Sequence, residues 1–289
     1  MDLYLDHMLI GVRDLSQAAR DYNKLGFKVT PEGRHPGRGT HNRLVVFGPE
    51  YLELISIHDS SQGLFRPNLA PFLESREGLF IFAMGTFDID AIYAEMQASG
   101  VATKTPEAGS RHAEDGSTAY SWTQMEIDED AAPGSQTFAI QHNDSFDGRY
   151  PDPPNASDHP NGVTGIHHLA LAVNDADAAA QAWTRAFGMA SISQVPDTPA
   201  TRRVRLDFGN CALDMMSPLG PGPLADFLER HGEAPYHLAF EVADLHATSR
   251  FMDDQGVTMG AISEDSDGAG LDLDASLASG VPIRLIQQN

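Results

Sequence analysis

Cysteine is almost missing from this chain. Of 289 residues only Cys211 is a cysteine, so no internal disulfide can form and the fold must rest on a packed core. Basic residues are scarce too. Nineteen Lys and Arg stand against 41 Asp and Glu, a formal net charge of −22. Such a surface repels phosphate backbones and anionic lipid, so neither nucleic-acid nor membrane-surface binding is expected. No window reaches the ~18–20 apolar residues that span a bilayer. The opening M-D-L-Y-L-D-H-M has no basic segment ahead of an apolar run, so no secretory signal is read. What is present is a 41% hydrophobic fraction, enough for a real core. The expectation is a soluble cytoplasmic protein, monomer or homodimer.

The apolar pattern starts four times. Leu3–Val12 reads as a strand, followed by a helix capped by Asp14 and stopped by Gly26, then strands at Phe27–Thr30, Asn42–Phe47 and Tyr51–Ile57. A second unit has a strand at Leu79–Phe87, a helix at Ile89–Ser99, a polar loop between Glu107 and Ser117, and strands near Ala119–Met125 and Thr137–Gln141. The third opens with Gly165–Val173 and a helix at Ala176–Phe187. The fourth opens with Tyr236–Val242 and a helix at Leu245–Gln255, and ends with Pro282–Gln287. From a marked strand position to the helix-stopping glycine the chain runs 19, 19, 20 and 19 residues: His7 to Gly26, Ile81 to Gly100, His168 to Gly188, His237 to Gly256. L-A-P-F-L-E-S (69–75) recurs as L-A-D-F-L-E-R (224–230). These matches predict four β-α-β-β-β modules. They fall into two α+β domains, 1–145 and 163–289, joined by a proline-rich linker at 146–162.

Within Thr164–Val173 two histidines are adjacent, His167 and His168. Strand alternation predicts that they point to opposite faces, one of them inward.

The four-module plan resembles the vicinal oxygen chelate superfamily, which includes glyoxalase I, extradiol dioxygenases and bleomycin-resistance proteins. R-H-P-G-R-G-T-H-N-R-L (34–44), Y-L-E-L-I (51–55) and S-R-H-A-E-D-G (110–116) before Trp122 are similar to a bacterial glyoxalase-like domain family. The resemblance implies two glyoxalase/dioxygenase-like domains, each with paired modules curled into an open barrel around one divalent metal. Ligands would come from the first and last strands of each module. Those positions hold His7 and Glu53, then Ile81 and Ala139 (Phe138 with a slip of one), then His168 and Asp214, then His237 and Arg284.

Imidazole and carboxylate suit Fe, Mn, Zn, Ni or Co, and two His with one carboxylate leave positions open for substrate oxygens. The second domain can supply His168, Asp214 and His237. If modules one and four exchanged, the set would be His7, Glu53 and His237. The sequential arrangement is the expected one. Arg284 cannot ligate because it stays protonated, but it can hold an anionic substrate group. His35 and His41, in a glycine-rich turn, read first as loop residues; His41 is the candidate general base, with Arg111 and Arg284 as anion clamps. The implied activity is metal-assisted lyase or isomerase chemistry on a small substrate with neighbouring oxygens, one whose anionic group the arginines would accept. Extradiol ring cleavage is the alternative, although Arg284 stands where that family has glutamate and Leu271–Gly280 lacks a tyrosine. A metal-free small-molecule binding protein is the other alternative.

Overall fold

The computed structural model describes residues 1–64, 66–113, 116–145, 155–192 and 198–287. The first half runs β1 (Tyr4–Gly11), α1 (Leu15–Lys24), β2 (Gly33–Arg34), β3 (Thr40–Val46), β4 (Tyr51–Ile57), α2 (Leu69–Ser75), β5 (Gly78–Gly85), α3 (Ile89–Ser99), β6 (Glu107–His112), β7 (Thr118–Glu126) and β8 (Thr137–His142). Its strands close into a barrel in the order β1-β4-β3-β2-β6-β7-β8-β5. The second half runs β9 (Val163–Ala172), α4 (Ala176–Phe187), β10 (Thr201–Asp207), β11 (Ala212–Pro218), α5 (Pro223–His231), β12 (Ala234–Val242), α6 (Leu245–Asp254), β13 (Ser263–Asp265), β14 (Gly268–Leu273) and β15 (Ile283–Gln287). Its seven strands form an open half-barrel, β10-β11-β9-β12-β15-β14-β13. This is the expected α+β architecture of two barrel-like units.

Pairing between modules is sequential. β1 lies parallel to β4 and antiparallel to β5, the first strand of the next module. β9 repeats this with β11 and β12. Among the described residues no strand of the first module pairs with the fourth. The expected linker at 146–162 lies in part, at residues 146–154, outside the described residues.

Two expectations about elements are corrected, and one hairpin is added. Phe27–Thr30 is not a strand: Thr30 pairs with Leu44 through its backbone, but Pro31 has no N–H with which to continue a ladder. The short strand comes later, at Gly33–Arg34. The polar segment expected as a loop from Glu107 begins instead as the wall strand β6, Glu107–His112, paired with β7. The acidic segment after Ser263 contains the hairpin β13–β14, which extends the sheet beyond β15.

Two apolar layers hold these strands. One fills the first barrel with inward side chains such as Leu9, Leu44, Ile55, Trp122 and Phe138. The other is continuous between the two sheets and their helices. There Phe82 stacks on Trp183 with ring centroids 5.7 Å apart, Phe27 packs on Phe240 at 5.5 Å, and the Trp183 indole N–H donates to the Pro133 carbonyl at 2.9 Å. The halves therefore share a desolvated seam.

Each module's helix begins with the same device. Asp14, Asp88, Asp175 and Asp244 each accept a hydrogen bond from the backbone N–H three residues on, at 2.9–3.0 Å, satisfying a donor that the helix leaves open. Asp175→Ala is expected to lower stability by about 1 kcal/mol, measured by urea denaturation; a change of a few tenths or less would show the cap to be idle.

Candidate functional site

The site begins with a break in alternation. Along β1, Leu5 pairs with Met84 and His7 with Ala83, so Asp6 is an extra residue opposite β5. Along β9, His168 pairs with Ala239 and Ile166 with Phe240, so His167 is extra in the equivalent place. Such a bulge resets the pleat and brings consecutive side chains together. The Asp6 Oδ1 accepts from His7 Nδ1 at 2.6 Å, and the Nδ1 atoms of His167 and His168 lie 2.8 Å apart. The expectation that His167 and His168 diverge is therefore corrected: the repeat carries a bulge in its first strand.

Inside the first barrel is a buried chamber of about 20 Å³, lined by His7, His35, Asn42, Glu53, Gln124, Phe138 and their apolar neighbours. Glu53 is its hub. Its Oε2 lies 3.5 Å from His7 Nε2 and its Oε1 lies 3.7 Å from His35 Nε2. Asn42 Nδ2 donates to Oε1 at 2.7 Å. Each imidazole is held from behind, His7 by Asp6 and His35 by Thr40 Oγ1 at 2.8 Å. Burial pushes the Asp6 carboxyl upward, but His142 and His7 outweigh it by charge and hydrogen bonding and hold Asp6 well below the usual carboxylate range. With Nδ1 donating to that carboxylate, His7 Nε2 is a bare acceptor. It faces Glu53 Oε2, another acceptor, unless a proton or a cation lies between them.

The nominated residues distribute unevenly. His7 and Glu53 both face the chamber. Phe138, not Ala139, is the inward residue of β8; Ala139 packs in the seam. His41 points away, its Nδ1 on Glu32 at 3.0 Å and its ring beside His58, because Asn42 next to it takes the inward position. Arg111 is buried, its guanidinium flat on Gly33, where a Cβ would lie 2.1 Å from Cζ. It donates from Nε to Asn42 Oδ1 at 2.9 Å and from Nη2 to the Pro31 carbonyl. Arg111 is thus a strut that aims Asn42 at Glu53, in place of the expected anion clamp. Asp6, Asn42 and His142 escaped the sequence reading, and His35 was read there as a loop residue. The available signals were slight: Asn42 is two residues from Leu44 on an alternating strand, and His35 sits in the glycine-rich turn.

The second half also gathers its nominated residues. His168 Nε2 lies 3.8 Å from Asp214 Oδ2, and the His168 and His237 rings are 5.5 Å apart. But Asp214, fully buried, is gripped by Arg205 through two bonds of 2.7 Å. Arg203 approaches the same carboxylate at 3.4 Å. Both arginines reach Asp267 in the β13–β14 turn, at 2.6 and 2.8 Å, clasping the two open edges of the half-barrel. Arg284 is engaged by Asp272 at 2.8 Å and Asp265 at 3.2 Å. The signal for Arg203 and Arg205 was their i, i+2 spacing on the strand paired with β11.

Among the described residues no three His, Cys, Asp or Glu side chains make a ready-formed metal-binding group. By donor chemistry the second-half set does not fit a divalent ion, because its carboxylate is already spent on a guanidinium and more guanidinium charge stands close by. The His7, His35 and Glu53 set does fit: two anchored imidazoles turn their Nε2 atoms toward one carboxylate.

Buried imidazoles make stability depend on pH. Burial pulls His35, His159 and His237 down from 6.5 to about 4, because an imidazolium there would lose its hydration. The unfolded chain takes up these protons as pH falls through 6.5, while the folded chain does so only near 4. Their contribution is complete above pH 6.5 and is lost as pH falls from 6.5 toward 4. The melting temperature should drop across that window, and a flat profile from pH 7 to 4.5 would contradict this.

A family model described as "Glyoxalase-like domain" matches residues 5–187, and one described as "Glyoxalase/Bleomycin resistance protein/Dioxygenase superfamily" matches residues 167–271. No curated protein matches significantly. Among solved structures, a hypothetical protein from Staphylococcus aureus is 14% identical with a TM-score of 0.72, covering 99% of this chain and 100% of its own. A variant of 4-hydroxymandelate synthase from Streptomyces coelicolor is 14% identical with a TM-score of 0.70, covering 99% of this chain and 92% of its own. Methylmalonyl-CoA epimerase from Mycobacterium tuberculosis is 27% identical over 44% of this chain and 90% of its own, with a TM-score of 0.42. The first two likenesses concern the fold. The match over residues 5–187 exceeds half the chain, and with the closed barrel and its repeated modules it shows that the chain belongs to the glyoxalase-like domain family of the vicinal oxygen chelate superfamily.

Proposed function

We propose that the first barrel houses a proton-transfer site for a small oxygenated substrate, of lyase or isomerase type. The observation that carries this is the acceptor pair His7 Nε2 and Glu53 Oε2, 3.5 Å apart in a buried chamber. A proton shared by such a pair is poised to move. In this reading Glu53 takes a proton from carbon next to a substrate carbonyl, and His7 shares it. Asp6 behind His7 stabilises the imidazolium that forms, while Asn42, aimed by Arg111, keeps Glu53 in register. His7, His35 and Glu53 are also the residues that would hold a divalent ion, which would supply electrostatic stabilisation of a developing enolate. The setting proposed is a cytoplasmic protein, monomer or homodimer; no helix among the described residues is long and apolar enough to cross a membrane.

The second half is assigned no chemistry here. The ring-cleaving alternative would need His168, Asp214 and His237 as ligands, and Arg205 occupies Asp214. The test is deuterium wash-in from D₂O, followed by NMR, at carbons next to carbonyls in a panel of 2-oxo acids and thioesters, with and without added divalent metal. Exchange that needs both His7 and Glu53 is the expected result. Ligand binding without any exchange would favour the metal-free binding protein.

A further inference from the structure

A chamber of about 20 Å³ holds roughly one water, so a substrate's body must lie elsewhere. A cavity of about 500 Å³ adjoins it, sharing Phe138 as a wall, and that volume suits a small ligand. Arg66 sits at the junction. It is 6% exposed, lines the cavity, and lies over the Phe138 ring at 3.8 Å. It donates to Gln124 of the inner chamber at 3.1 Å and reaches Glu126 at 3.5 Å. The floor beside it is apolar, formed by Ile81, Ile127 and Phe138. The mouth is acidic: Asp128 and Glu129 are exposed, and Glu126 also pairs with the exposed Lys104.

We propose that this cavity is a binding site for a small monocarboxylate with an apolar body, its head paired with Arg66 and its body against Ile81 and Phe138. The proposal rests on the first-barrel reading, and names the substrate class for that site. A guanidinium fork matches one planar carboxylate. The acidic mouth opposes every anion, but a dianionic phosphate ester about twice as strongly as a monocarboxylate. Glu126 competes for Arg66, and Lys104 offers it another partner when a ligand enters. Phe138 is the wall between that position and the chamber of His7 and Glu53.

The test uses three probes with the same ring: phenylacetate, benzylamine and phenyl phosphate, titrated calorimetrically into the full chain. Phenylacetate should bind saturably and the other two more weakly. Arg66→Met should weaken phenylacetate by roughly ten-fold or more. Glu126→Gln, which removes the competing carboxylate at a partly exposed position, should tighten it. The second variant decides the matter if the first does not fold. Benzylamine binding as tightly as phenylacetate, or phenylacetate affinity indifferent to the folded variants, or no phenylacetate binding to wild type, would overturn the proposal. Binding retained while proton exchange proves independent of Glu53 would sink the reaction and spare the site; exchange without phenylacetate binding would do the reverse.

Discussion

Arg205→Met is expected to destabilise the protein by on the order of 3–5 kcal/mol. Asp214 is fully buried and takes two charge-assisted bonds from Arg205. Removing the guanidinium strands a carboxylate in the sheet, left with Arg203 at 3.4 Å and the His168 imidazole at 3.8 Å among the described residues, and it also cuts one arm of the clasp to Asp267. The loss is read from urea denaturation at neutral pH. The double variant Arg205→Met with Asp214→Leu should regain most of it, because exchanging both members of a buried ion pair for apolar groups is often close to neutral. A single-variant loss below about 1 kcal/mol would mean that Arg203 alone can satisfy Asp214. Tight divalent-ion binding gained by Arg205→Met would show that the arginine had been blocking a second-half metal site.

Glu53→Gln should lower proton exchange by roughly 10²–10⁴-fold with little change in fold. The amide keeps the shape and still accepts from Asn42, but it cannot take a proton. His7→Ala should match it within about ten-fold if the two act as one unit. His41→Ala should leave exchange unchanged, since that ring sits with Glu32 and His58 outside the chamber. Equal rates for wild type and Glu53→Gln on every exchanging substrate would remove Glu53 from the chemistry and return the first barrel to a binding role.

Repeats were the part of the architecture most legible in the chain. The spacing to each helix-stopping glycine depends on local rules: strand alternation, a capped helix, and a residue with positive φ, as at Gly26, Gly100, Gly188 and Gly256. His7, Glu53, His168, Asp214 and His237 could be nominated because they hold equivalent places in a repeat and match the ligand positions that the family resemblance implies. All of them lie on inward-facing strand positions.

What each does there was decided only by the tertiary structure. Asp6 and His167 are visible as letters, but whether they join the site depends on a bulge, which is a mismatch between two strands and belongs to neither alone. His35 reaches Glu53 because barrel closure folds its turn inward. Arg205 cancels Asp214 through a register set by β10–β11 pairing. Residue types and period thus set four modules and their inward positions. Charge pairing, burial and the line between a binding cavity and a filled one are distance effects of a few ångströms, and they exist only once strands far apart in sequence have met.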